Sequence, residues 1–183
     1  MSRADYADVD KLTNEQKVQL GRVPLNLTRM LLHCPAEMVK SFYDLAWSFR
    51  SGILDPRIRE GIILRVASLR GNGYELEHHV PAAKEAGLTD DEIAAITSDI
   101  PGKSAALAAS FISMLNLVDD CVKQGKATDA TFENASRFFS TSEIAEATLL
   151  AGLYSMCACF IETMGVGLDQ HPLNWAWIDK PGK

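Results

Sequence analysis

Two glutamates and a histidine, Glu60, Glu75 and His79, stand in an otherwise apolar stretch from Leu54 to Leu88. Glu75 and His79 are four apart, so a helix puts them on one face. Glu60 lies between Ile58 and Ile62-Ile63-Leu64, where a helix packs its core side. It reaches the other two only if two helices fold back antiparallel. A carboxylate beside an imidazole is a proton-transfer pair: burial raises the carboxylate's pKa, and the ionised carboxylate raises that of the histidine. Asn72, Tyr74 and His78 flank Glu75 and add hydrogen-bonding groups. Spacing by itself favours a solvated surface pair, worth about 0.2–1 kcal/mol. The position of Glu60 weighs against that reading.

The elements that must position these groups can be read from the flanking residues. Asp55-Pro56 starts one helix, with Asp as a cap and Pro in the first turn. Gly71-Asn72-Gly73 interrupts it, and a second helix runs from there to a stop at Gly87. The short glycine connection favours the antiparallel fold-back that would bring Glu60 to His79. Further along, Thr13 to Gln16, Thr89 to Glu92 and Ser140 to Glu143 are capping boxes that open three more helices. Leu25 to Leu32, Ala36 to Arg50, Ser104 to Val122 and Thr128 to Phe138 also read as helical, and the last long helix ends near Thr163. No run shows sustained strand alternation, so the fold class is all-α, one helical domain over 1–183. Residues 1–12 read as a flexible arm and 169–183 as a docking tail, with Trp175 and Trp177 as its apolar anchors and His171 structural. Trp47 lies off the apolar stripe of its helix, where packing, a subunit contact or a pocket wall could place it. A faint echo at an offset of 86 residues pairs Ile58, Glu60, Leu64 and Tyr74 with Ile144, Glu146, Leu150 and Phe160. It suggests two pseudo-repeated helical halves, one active and one structural.

The segment resembles the signature region of the carboxymuconolactone decarboxylase and alkylhydroperoxidase D-like family. The peroxidase branch of that family has Glu, eleven residues, Cys, two residues, Cys, three residues, His; here the frame falls on Glu60, Asn72, Glu75 and His79. The spacing is kept and both cysteine positions are replaced. The decarboxylase branch has a Glu-Leu-x-x-His run, matched by Glu75-Leu76-Glu77-His78-His79, then Ala82-Ala83, then Gly87-Leu88-Thr89-Asp90-Asp91-Glu92-Ile93. The resemblance is strong from Val23 to Ile96 and continues as an apolar pattern to about Leu168. It implies an alkylhydroperoxidase D-like helical fold, assembly into trimers or hexamers, and no cofactor.

Composition excludes several classes. The net charge is −6 with no block of like charge, so nucleic acid is not an expected partner. The start, MSRADYADVD, is polar and acidic and reads as no signal peptide. Uncharged runs such as Ala147 to Ile161 fall short of the roughly 20 residues needed to span a bilayer. A cytoplasmic protein without a membrane segment is expected. Cys34, Cys121, Cys157 and Cys159 form no C-x-x-C and read as inert buried thiols.

A dithiol peroxidase needs one thiolate to attack peroxide and a second sulfur to resolve it. Asn72 and Glu75 can do neither, so thiol-dependent peroxidase chemistry is disfavoured. The expected function is cofactor-independent proton transfer on a small organic acid or lactone, most simply a decarboxylation. His79 would be the acid–base group, with Glu75 and Glu60 setting its tautomer and charge. Tyr74, Asn72 and His78 would donate to substrate, and Arg65, Arg57 or Arg59 would hold a carboxylate. A metal on Glu60, Glu75 and His79 ranks below that reading, and none is expected. The competing class is a non-catalytic binding or assembly module whose Glu–His cluster is a buried network.

Overall fold

The computed structural model describes residues 2–170, and those residues hold nine α-helices and no strand. In chain order they are α1 (Asn14–Arg22), α2 (Asn26–Leu31), α3 (Ala36–Ser48), α4 (Pro56–Leu69), α5 (Gly73–Glu85), α6 (Asp90–Thr97), α7 (Ala109–Gln124), α8 (Asp129–Ala135) and α9 (Thr141–Met164). The three expected capping boxes open α1, α6 and α9, each with both reciprocal bonds made. Asp55 caps α4 by accepting from the Arg57 amide, with Pro56 in the first turn.

Helix α4 is the axis of the molecule. Every residue from Arg59 to Ala67 is buried, because α5, α6, α7 and α9 all pack around it. Ile62, Ile63 and Val66 meet Met114, Leu117 and Val118 of α7 and Ile144, Ala147 and Leu150 of α9 in the main core. Gly61 permits the approach of α7: a Cβ there would sit 2.4 Å from Phe111 Cζ. The chain leaves α4 through Gly71, whose φ of +64° few other residues adopt at low cost. Asn72 then caps α5, its Oδ1 accepting from the Glu75 amide at 2.8 Å. That turn folds α5 back along α4, as the glycine break predicts.

Several expectations need correction. The helix expected to begin at Ser104 begins at Ala109, because Ser104 Oγ accepts from the Ala106 amide and holds a local turn. The helix expected to reach Phe138 ends at Ala135, where the Phe138 and Phe139 amides both turn back to the Ala135 carbonyl. The stretch expected to be helical to Arg50 closes in one 3-10 turn, Phe49–Ser51. Residues 2–12 are not loose: Ala7 and Leu12 are buried beside Val23, Leu32 and Val39, and the Arg3 amide donates to the Met164 carbonyl at 2.9 Å. The sequence echo does not yield a second helix pair, since α9 runs unbroken for 24 residues across the position equivalent to the glycine turn. At that length, with mean hydropathy 1.7, α9 is long and apolar enough to cross a membrane, but it packs on α4 and α7 as a core helix. Of the expected docking tail, Asp169 and Gln170 are described; His171, Trp175 and Trp177 lie outside the described residues.

Candidate active site

The α4–α5 turn brings Glu60, Glu75 and His79 together. All three are nearly sealed, at 1%, 5% and 3% exposure. His79 Nδ1 lies 2.9 Å from Glu60 Oε2, and its Nε2 lies 3.4 Å from Glu75 Oε2. A carboxylate therefore faces each edge of one imidazole. Burial pushes the His79 pKa down, but the hydrogen bonds and charges of Glu60 and Glu75 outweigh it and raise the value to about 9. At neutral pH His79 is an imidazolium whose Nδ1–H donates to Glu60. Burial pushes Glu60 and Glu75 up, and the bonds and charge of His79 reverse this, leaving both carboxyls below their ordinary range.

The network extends at both ends. Arg59 Nε donates to Glu60 Oε1 at 3.1 Å, and the Cys157 thiol donates to Glu75 Oε1 at 2.9 Å. Burial, then the Glu75 carboxylate, push that thiol far up, so Cys157 stays S–H. The Tyr154 hydroxyl lies 3.2 Å from His79 Nε2, its ring edge-on to the imidazole at 5.1 Å. A second histidine–carboxylate pair stands alongside. Asp169 Oδ2 accepts from the Tyr74 hydroxyl at 2.5 Å and lies 3.2 Å from His78 Nε2, while its Oδ1 accepts from the Asn26 amide at 2.8 Å. Burial pushes Asp169 up, but His78, Tyr74 and Asn26 hold it below the usual carboxylate range.

Arg59, Glu60, Tyr74, Glu75, His78, His79, Tyr154 and Cys157 line one cavity. Its volume is about 80 Å³. Phe42, Tyr43, Trp47 and Phe49 give the cavity an aromatic lining along with Glu60, His79 and Tyr154, and Arg50 and Arg59 also line it. Trp47 is thus a pocket residue, and the Arg22 guanidinium covers its ring at 4.4 Å.

The sequence-predicted residues separate cleanly. Glu60, Glu75, His79, Tyr74 and His78 line the cavity. Asn72 and Arg65 do not, and neither stands where it could meet a ligand there. Asn72 is fully buried and its oxygen is spent on capping α5. Arg65 is 1% exposed, forks onto both oxygens of Asp119 at 2.6 and 2.7 Å, and donates to the Ile96 and Ser98 carbonyls. It ties α4 to α6 and α7. Arg57 is likewise engaged, with Glu92 and the Gly87 carbonyl. Of the arginines considered, Arg59 is the one on the cavity. Tyr154, Cys157 and Asp169 join the site without having been signalled by it: they lie 75, 82 and 91 residues from their partners. The three-ligand metal reading does not fit. Glu60 and Glu75 sit on opposite edges of the imidazole, and among the described residues no group of three His, Cys, Asp or Glu could hold an ion.

The helical arrangement is that of the AhpD-like fold. The alkylhydroperoxidase AhpD core structure of an uncharacterised peroxidase-related protein from Ralstonia eutropha superposes with TM-score 0.77 at 14% identity, covering 92% of this chain and 93% of its own. An AhpD-type protein of unknown function from Agrobacterium tumefaciens gives TM-score 0.67 at 23% identity, over 76% of this chain and 94% of its own. The debrominase Bmp8, solved as a C82A variant with 2,3,4-tribromopyrrole, gives TM-score 0.74 at 12% identity over 98% of each chain. No curated protein matches the sequence. Residues 36–114, which hold α3 to the first part of α7, match the model of the carboxymuconolactone decarboxylase family. That segment, less than half of the chain, is similar to the carboxymuconolactone decarboxylase family, and the chain as a whole shares the AhpD-like fold.

Proposed function

We propose that the protein is a cofactor-independent proton-transfer enzyme acting on a small organic acid or lactone, by decarboxylation or a related lyase or isomerase step. The observation that carries this is a fully buried Glu60–His79–Glu75 cluster opening onto an aromatic-walled cavity. Loss of carbon dioxide leaves an electron pair that must be delocalised and then protonated. An imidazolium held between two carboxylates supplies that proton at Nε2, the edge shared with Tyr154. After the transfer, Glu60 holds the neutral ring by accepting from Nδ1–H, and Glu75 is placed to help return the proton. Arg59 on the cavity wall offers the guanidinium edges not used by Glu60 to a substrate carboxylate.

The test is mass-spectrometric screening of small unsaturated acids and lactones, followed by His79→Ala on any that turn over. General acid–base catalysis contributes roughly 10²–10⁴-fold, so the variant should lose at least about tenfold in rate with its fold intact. Unchanged turnover removes the assignment. A second reading draws support from the continuity of the chain Arg59–Glu60–His79–Glu75–Cys157. Such a satisfied network also suits a binding module, for which the screen yields ligands and no products. The proposal extends to a homo-oligomer in the cytoplasm. Met38, Leu45 and Met156 leave an apolar surface on α3 and α9 that self-association would cover, and light scattering measures the state directly.

A further inference from the structure

Tyr154 has an odd hydrogen-bonding position. Its hydroxyl lies against His79 Nε2, and among the described residues no other hydrogen-bond partner is found for it. The imidazole already faces a carboxylate on each side, so it carries a proton on both nitrogens. A hydroxyl oxygen beside an N–H can only accept from it. The Tyr154 proton must therefore point elsewhere, and the side chain lines the cavity. Burial, then the charges of Glu75 and Glu60, push the phenol well above its ordinary value, so it remains O–H. Tyr43, in the same lining, differs: its hydroxyl is paired with Thr28 Oγ1 at 2.5 Å. Tyr74 is committed to Asp169.

We propose that Tyr154 is a catalytic residue of this site, donating its hydroxyl proton as a hydrogen bond to the oxyanion of a planar, conjugated substrate. The inference rests on the proton-transfer reading above and narrows it. With its oxygen accepting from His79 Nε2–H, Tyr154 turns its own O–H toward the cavity, and a donor fixed where negative charge develops stabilises it most. Phe42, Trp47 and Phe49 line the same cavity with apolar rings, suited to packing against a conjugated ring. The ligand class is thus an enolate or phenolate. A saturated acid lacks the delocalised oxygen that this donor would meet.

The probe is 4-nitrophenol, whose ionised form is followed by visible absorption, with 4-nitrotoluene as the same ring lacking the oxygen. The wild-type protein should bind the phenolate and lower the probe's apparent pKa. Tyr154→Phe should weaken phenolate binding by about tenfold or more, as expected for a lost bond to a charged group, and abolish the pKa change. Its affinity for 4-nitrotoluene should stay within about twofold of wild type, because the cavity keeps its shape. The inference is overturned if the wild type does not take the phenolate, if Tyr154→Phe holds it as well, or if the variant loses both ligands alike. His79→Ala turnover decides the broader reading separately, so the two can fail independently.

Discussion

Glu60 and Glu146 begin from the same sequence pattern and end in different chemistry. Each follows an isoleucine by two residues and precedes a buried leucine by four. Glu60 is sealed and faces the His79 imidazolium. Glu146 accepts from the Ile53 and Leu54 amides at 2.8 and 3.4 Å and fastens the loop before α4. What separates them lies about eleven residues downstream. After Glu60 the chain meets Gly71 at positive φ and folds back, which delivers His79 to the carboxylate. After Glu146 the helix goes straight on through Cys157, so nothing returns. A carboxylate becomes part of a reactive cluster here because of the turn that follows it.

The contrast can be broken most directly by removing each carboxylate. Glu60→Ala leaves a buried imidazolium with one of its two carboxylates gone, and breaking a buried pair costs about 3–5 kcal/mol. Glu146→Ala strands backbone amides near the surface, a loss of about 1 kcal/mol. Equal losses in denaturant unfolding would erase the distinction drawn between the two sites. Next in size is Gly61→Ala. The residue after Glu146 is already Ala147, whereas a Cβ at Gly61 would meet the Phe111 ring, so overpacking should cost about 1–3 kcal/mol. A neutral outcome would mean that α7 can retreat from α4 freely.

The smallest effect is the pH dependence of stability. The folded pKa of His79 is raised from 6.5 to about 9, so its contribution is full below pH 6.5 and is lost as pH rises through 9. Glu60 and Glu75 are depressed from 4.5, so theirs is present above that value and is lost as pH falls below it. Melting temperature should therefore plateau between pH 4.5 and 6.5 and decline on either side by a few degrees. In Glu60→Gln the alkaline decline should move to lower pH. An alkaline limb that stays in place would remove Glu60 as a cause of the raised imidazole.

The helical pairing of α4 with α5 was legible because it is local: a cap, two glycines and a four-residue spacing suffice to bring Glu60, Glu75 and His79 together. Asn72 carried a readable signal that pointed to a different role. An Asn three residues before Glu75, at the start of a helix, is an N-cap before it is a ligand contact. Arg65 inside the run Ile62-Ile63-Leu64-Arg65-Val66 marks a buried partner rather than a binding group, yet nothing local points to Asp119 as that partner. Tyr154, Cys157 and Asp169 were invisible for a related reason. They arrive from far along the chain, and helix periodicity carries no information about which distant face will dock. The docking of the arm at residues 2–12 was missed because its two buried residues, Ala7 and Leu12, are too few to make a pattern.

Asp169 has a consequence for biosynthesis. It ties down Tyr74 and His78 from 95 and 91 residues further along, beyond the end of α9. A nascent polypeptide emerging from the ribosome can pair α4 with α5 early, but it lacks the aspartate that holds Tyr74 and His78 until residue 169 has been added. The Glu60–Glu75–His79 cluster is thus encoded well before the aspartate that ties down its neighbours, and a transcript truncated upstream of that codon encodes the cluster without this tie.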